Sequence, residues 1–107
     1  MDTNQWIQAE FVTIENVFKV ATKGRNEDLS SLFQWVTKYQ LKHSLSNNEV
    51  EFEYVTSASG DVMTFDGNTD RNSVVENEFA TVSVMFFRLC VIEWHNHIAL
   101  RWEVYRC

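Results

Sequence analysis

Glu93-Trp94-His95-Asn96-His97 is the one local cluster in this chain whose side chains could hold a metal ion. In an extended backbone Glu93, His95 and His97 share one side. Two imidazoles and a carboxylate there would bind Zn²⁺ and leave a position open. The competing reading is a hairpin turn. Asn96 tolerates left-handed backbone, and a reversal at that point separates the two imidazoles. The turn is the reading the residues favour. Glu10 is the other acid that stands out, because on a helical wheel it falls between Val17 and Ala21. A carboxylate buried alone is costly, so Glu10 is expected to be exposed or paired with an arginine rather than a catalytic acid of raised pKa. Cys90 lies in Phe-Phe-Arg-Leu-Cys-Val-Ile, an apolar setting that raises a thiol pKa and makes it inert. Asp61 to Asp70 lacks the ligand spacing of an EF-hand loop. No phosphate-binding glycine loop, nucleophile elbow or paired-histidine zinc motif is present. These residues predict no catalytic group, no cofactor and no enzyme.

The elements that must position these residues fall into two halves. Ile7, Phe11, Ile14, Phe18 and Ala21 recur at helical spacing, and Glu15 precedes Lys19 by four residues. Gly24 supplies a stop. The β-branched run through Val12, Thr13, Ile14, Val17 and Val20 makes a strand the competing reading. Asn26 reads as an N-cap for a second helix, with an apolar stripe through Leu29, Leu32, Phe33, Val36 and Tyr39 and with Lys38, Lys42 and His43 near its end. The period then changes to two. Val50, Phe52 and Tyr54 alternate with Glu49, Glu51 and Glu53, as in a half-buried strand with an acidic outer face. Ser57–Asp61 reads as a turn, Val62–Phe65 as a short strand, Phe79–Glu93 as a long one, and Ile98, Leu100, Trp102 and Val104 as the inward face of a last one. Along the long strand both parities turn apolar after Phe86-Phe87, so either a bulge switches the face or the strand is central. The expected fold is α+β: two N-terminal helices packed on one face of an antiparallel sheet of about four strands.

Charge is unevenly placed. Residues 49–80 carry eight acids (Glu49, Glu51, Glu53, Asp61, Asp66, Asp70, Glu76, Glu78) against the single base Arg71, a net of −7, while the whole chain carries −6. Such a concentration suggests a surface that meets a positive partner, the alternative being a solvated face. With 45% hydrophobic residues, eight Phe, four Trp and three Tyr, the 107 residues form a folded domain spanning 1–107 rather than an acidic tail. A pI near 4.9 speaks against nucleic-acid binding. No stretch reaches the roughly 18–20 apolar residues of a membrane helix. The first residues lack the pattern of a signal peptide, and Cys90 and Cys107 are too few for a disulfide framework. A cytoplasmic location is the expectation.

A compact, acidic, aromatic-rich domain without catalytic motifs resembles the bacterial immunity proteins of contact-dependent growth-inhibition systems. That resemblance implies a protein that binds a basic toxin domain, such as a nuclease, in a 1:1 complex and occludes its active site. Its partner-binding residues would be Glu49, Glu51, Glu53, Asp61, Phe65, Asp66, Asp70, Glu76 and Glu78, with Phe65, Trp94 or Tyr105 as central anchors. The alternatives are a phage-encoded inhibitor of a nucleic-acid-binding complex, an anti-CRISPR or DNA mimic, acting through the same charge, and a small metal-binding protein built on Glu93, His95 and His97.

Overall fold

The computed structural model describes residues 5–23, 35–68, 73–95 and 101–107. They form strands β1 (Trp6–Lys23), β2 (Trp35–Ser44), β3 (Glu53–Tyr54), β4 (Phe65–Asp66), β5 (Val75–His95) and β6 (Arg101–Arg106), with one short 3₁₀ turn at Glu49–Glu51. All pairings are antiparallel, in the order β3-β2-β5-β1-β6, and β4 pairs with β2. The central strand β5 thus has β2 on one side and β1 on the other.

The expected α+β architecture is overturned, since no α-helix occurs among the described residues. The first expected helix is β1. Its apolar residues mimic helical spacing because the ladder to β5 is broken twice. Glu10 pairs with Phe86 but Glu15 with Val84, and a second shift falls between Val17 and Lys19. The first break leaves the inward parity of β1 unchanged and falls in the long gap from Phe11 to Val17, and the second switches that parity, so the core positions Ile7, Phe11, Val17 and Val20 are spaced by four, six and three rather than by two. The β-branched residues along this segment suit a pleated ladder better than a helix. The same cause disguises β2. Register shifts on both sides of Lys38 place Val36, Tyr39 and Leu41 inward, and Val36 and Tyr39 are three apart, as on a helix. The proposed cap Asn26 and the stripe from Leu29 to Phe33 lie outside the described residues.

The acidic strand expected at residues 49–55 is mostly absent as well. Asn48 caps the 3₁₀ turn, its side chain accepting from the Val50 amide at 3.3 Å. Val50 is left 85% exposed, and only Glu53–Tyr54 pairs with β2. The Ser57–Asp61 turn does form, closed by Gly60 N–H on the Ser57 carbonyl at 2.9 Å, with Gly60 at φ 90°, a conformation that favours glycine. In β5 the inward face passes from Val82 and Val84 to Phe87, Leu89 and Val91, a switch from even to odd positions opposite the first β1 break.

The core is a ladder of rings. Tyr39 stacks on Phe65 at 5.4 Å, Phe65 meets Phe79 edge-on at 6.1 Å, Phe79 stacks on Phe87 at 5.9 Å, and Phe87 on Trp102 at 6.1 Å. Each such pair contributes about 0.5–1.5 kcal/mol beyond area burial. The series crosses β2, β4, β5 and β6 and ends at Trp102, a residue of the candidate site. Burial pushes the Tyr39 hydroxyl up to about 12, and that hydroxyl accepts a hydrogen bond from Asn77 at 2.9 Å.

Candidate functional site

β1 ends, β5 begins and β6 begins at one end of the sheet, and a cavity of about 180 Å³ opens there. It is lined by Ala21, Thr22 and Lys23 of β1, Val74 just before β5, and Arg101, Trp102 and Glu103 of β6. Cross-strand register sets its layout. Lys23 stands opposite Arg101, Thr22 opposite Trp102, and Ala21 opposite Glu103. Two cations are therefore neighbours, a carboxylate follows two residues along β6, and a hydroxyl shares a face with the indole.

Asparagines fasten this end. Asn68 is fully buried, and its side-chain amide donates to the Thr22 carbonyl at 3.1 Å and to the Ser73 carbonyl at 2.7 Å, while its backbone N–H donates to Val36 at 2.9 Å. Asn77 donates to both Tyr39 Oη and the Asp66 carbonyl, each at 2.9 Å. Gly67 lies so close to β2 that a Cβ there would sit 2.5 Å from the Val36 carbonyl oxygen. Against this well-bonded background two buried side-chain atoms among the described residues have no hydrogen-bond partner: Thr22 Oγ1 and Asn68 Oδ1. A buried hydroxyl without a partner costs about 1–3 kcal/mol, so each such atom in a native fold calls for a physical reason. Thr22 is among the residues that line the cavity, and a ligand polar group that reached its buried hydroxyl would supply the missing partner.

The residues singled out from sequence are dispersed. Glu49 pairs with Arg88 at 2.8 Å, Asp66 with Lys38 at 2.8 Å, and Glu76 with Lys19 at 3.3 Å. Glu51 accepts from the Ser46 hydroxyl at 3.1 Å and Asp61 from the Ser59 hydroxyl at 3.1 Å. Glu53 stands opposite His43, and Glu78 opposite Lys19. Phe65 is in the core at 5% exposure. Asp70 lies outside the described residues. Three of the acids are thus held by bases on β1, β2 and β5. Glu10 is exposed and accepts from Gln8 at 3.0 Å. Glu93 is exposed near the end of β5, His97 lies outside the described residues, and among those described no group of three or more His, Cys, Asp or Glu could hold a metal. Cys90 and Cys107 are free thiols, and burial pushes the Cys90 thiol up. The cavity residues Thr22, Lys23, Arg101 and Trp102 gave no local signal. They are some eighty positions apart and meet only through the β1–β6 ladder.

Comparison with known proteins places this fold. The profile described as "F5/8 type C domain" matches residues 1–104. Mouse retinoschisin is 31% identical over 107 residues, covering 99% of this chain and 46% of retinoschisin. Discoidin-2 of Dictyostelium discoideum is 33% identical over 107 residues, covering 98% of this chain and 37% of its own length. The solved structure of wild-type discoidin II from the same organism superposes with a TM-score of 0.84 at 30% identity, covering 99% of this chain and 38% of that one. The chain spans less than half the length of the curated relatives it matches.

These matches overturn the resemblance to immunity proteins, which rested on overall acidity and size. The expected toxin-nuclease partner and the inhibitor function go with it, because the discoidin-domain relatives are binding proteins of a different kind. The cytoplasmic expectation also falls, since the relatives, rat lactadherin at 30% identity over 107 residues among them, are secreted, extracellular or membrane-associated. The relatives are non-enzymatic. Matched along residues 1–104 by the family profile, and along nearly all its length by relatives at 30% identity or more, the chain belongs to the F5/8 type C domain family.

Proposed function

We propose that this chain is a non-catalytic recognition domain of an extracellular protein, and that it binds a carbohydrate in the cavity between the end of β1 and the start of β6. The observation that carries this reading is the Thr22 hydroxyl, buried to 1% exposure and without a partner, in a cavity whose other lining groups suit a sugar. Lys23 and Arg101 donate hydrogen bonds, Glu103 accepts them, and Trp102 offers an indole to the C–H face of a pyranose. A small, partly apolar cavity at a sheet end, rimmed by polar groups from both faces of the strands, can hold one sugar ring. The relatives' standing as carbohydrate-, phospholipid- or protein-binding proteins supports the same reading.

One observation favours a second reading. Val74 is 59% exposed beside Lys23 and Arg101, and an apolar side chain flanked by cations suits an anionic lipid surface. A glycan array followed by calorimetric titration, with phosphatidylserine and phosphatidylcholine vesicles run in parallel, separates the two. Saturable binding of glycosides with no vesicle binding supports the carbohydrate reading. Vesicle binding without glycoside binding replaces it with the lipid one.

A further inference from the structure

The outer face of the sheet carries a second cleft, of about 210 Å³, over β2, β5 and the start of β1. Arg88 lies in it with its side chain only 6% exposed. The guanidinium is held between the Trp6 ring at 4.0 Å and the Phe52 ring at 3.8 Å. Its Nε donates to Gln8 Oε1 at 2.6 Å, and its Nη1 to the two carboxylate oxygens of Glu49 at 3.0 and 2.8 Å. Lys42 stands directly opposite Arg88 across the β2–β5 ladder and lines the same cleft.

The two halves of the ion pair are unequal. Arg88 is fixed on the central strand and, being desolvated, requires an anion. Glu49 is 69% exposed and rides on the short 3₁₀ turn, so it can rotate into water at little cost in solvation. Like charges directly opposite on neighbouring strands repel. Glu49 answers Arg88, while the Lys42 ammonium rests on the Tyr54 ring at 4.7 Å. An anion seated between Arg88 and Lys42 would satisfy both cations. Trp6 at 48% and Tyr54 at 38% exposure stand beside it as large apolar walls open to solvent.

We propose that this cleft binds a carboxylate carried on a six-membered ring, and that Glu49 is a built-in occupant which the ligand displaces. The ligand carboxylate takes the place of the Glu49 carboxylate on Arg88 and also meets Lys42, and its ring lies against Trp6 or Tyr54. Such a group occurs on acidic sugars and on aromatic acids, and the test uses one of each.

The probes are glucuronate and benzoate, with glucose and benzyl alcohol as neutral controls. Binding is read from amide and indole NMR shifts of the whole chain, with Trp6→Phe assigning the indole signal. Glu49→Gln removes the competing charge, and both acids, or whichever one the walls accept, are expected to bind it about tenfold more tightly than the wild type, as follows from removing an intramolecular competitor. Lys42→Gln is expected to weaken binding several-fold, and the neutral controls are expected to leave the Arg88 and Trp6 signals unmoved. Thermal unfolding confirms that each variant is folded. Equal affinity of wild type and Glu49→Gln for both acids overturns the proposal, as does binding of the neutral controls as tight as that of the acids. Preference for glucuronate or for benzoate identifies which source of the carboxylate the walls accept.

Discussion

The two cavities handle buried polarity in opposite ways. In the cleft on the sheet face, Arg88 is a buried charge whose needs are met from within the chain, by Gln8, Glu49 and two aromatic rings. In the end cavity, Thr22 is a buried hydroxyl whose need is not met at all. One group ties β1, β5 and the 3₁₀ turn together, and the other spends stability on a contact the chain does not make. A buried polar group with an internal partner serves the fold first. One without a partner is set aside for something from outside. The contrast separates the effect of a substitution on stability from its effect on binding.

The largest effect is expected on the satisfied side. Arg88→Ala removes a stacked, hydrogen-bonded and nearly buried side chain, and should cost about 3 kcal/mol in urea unfolding. A cost under about 1 kcal/mol would mean that Arg88 does not hold these elements together and would erase the contrast. Next in size is Asn68→Ala. It strips hydrogen bonds from the Thr22 and Ser73 carbonyls and should cost about 2 kcal/mol, with sugar affinity falling as the end of β1 loosens. Both quantities are read on one sample by titration and denaturation.

Thr22→Val sharpens the comparison because its two readouts move in opposite directions. The change keeps the shape and removes a hydroxyl that has no partner, so stability should rise by about 1 kcal/mol while glycoside affinity falls about tenfold. A fall in both would mean that the hydroxyl serves the fold.

The smallest effect is electrostatic. Burial lowers the pKa of His43 below the ordinary 6.5, and the facing Glu53 opposes the shift. The folded state therefore holds this proton less tightly than the unfolded chain does. The contribution is fully present above about pH 6.5 and is lost as the pH falls from there through the folded value. His43→Gln should flatten the dependence of Tm on pH across that window, and Glu53→Gln should steepen it.

The sequence was legible where the sheet is regular. The alternation of Val82 and Val84 and of Trp102 and Val104 marked β5 and β6, and Ser57–Asp61 marked its turn. β1 and β2 were hidden by their register shifts, which break the period of two that identifies a strand and leave spacings of three and four behind. The acids at 49–53 alternated with apolar residues, yet Asn48 draws that segment into a 3₁₀ turn instead. The end cavity had no sequence signature because it joins the last residues of β1 to the first of β6. Of the eight acids that the sequence did show, three are paired within the fold, with Lys19, Lys38 and Arg88.

The central claim is that a sugar occupies the end cavity. The direct measurement is an NMR titration of the wild-type chain with the neutral glycoside that binds best on the array. Saturable shifts should gather at Thr22, Lys23, Trp102 and Glu103 and leave Trp6 and Arg88 unmoved. Shifts confined to the Arg88 cleft, or none anywhere at saturating glycoside, would contradict it.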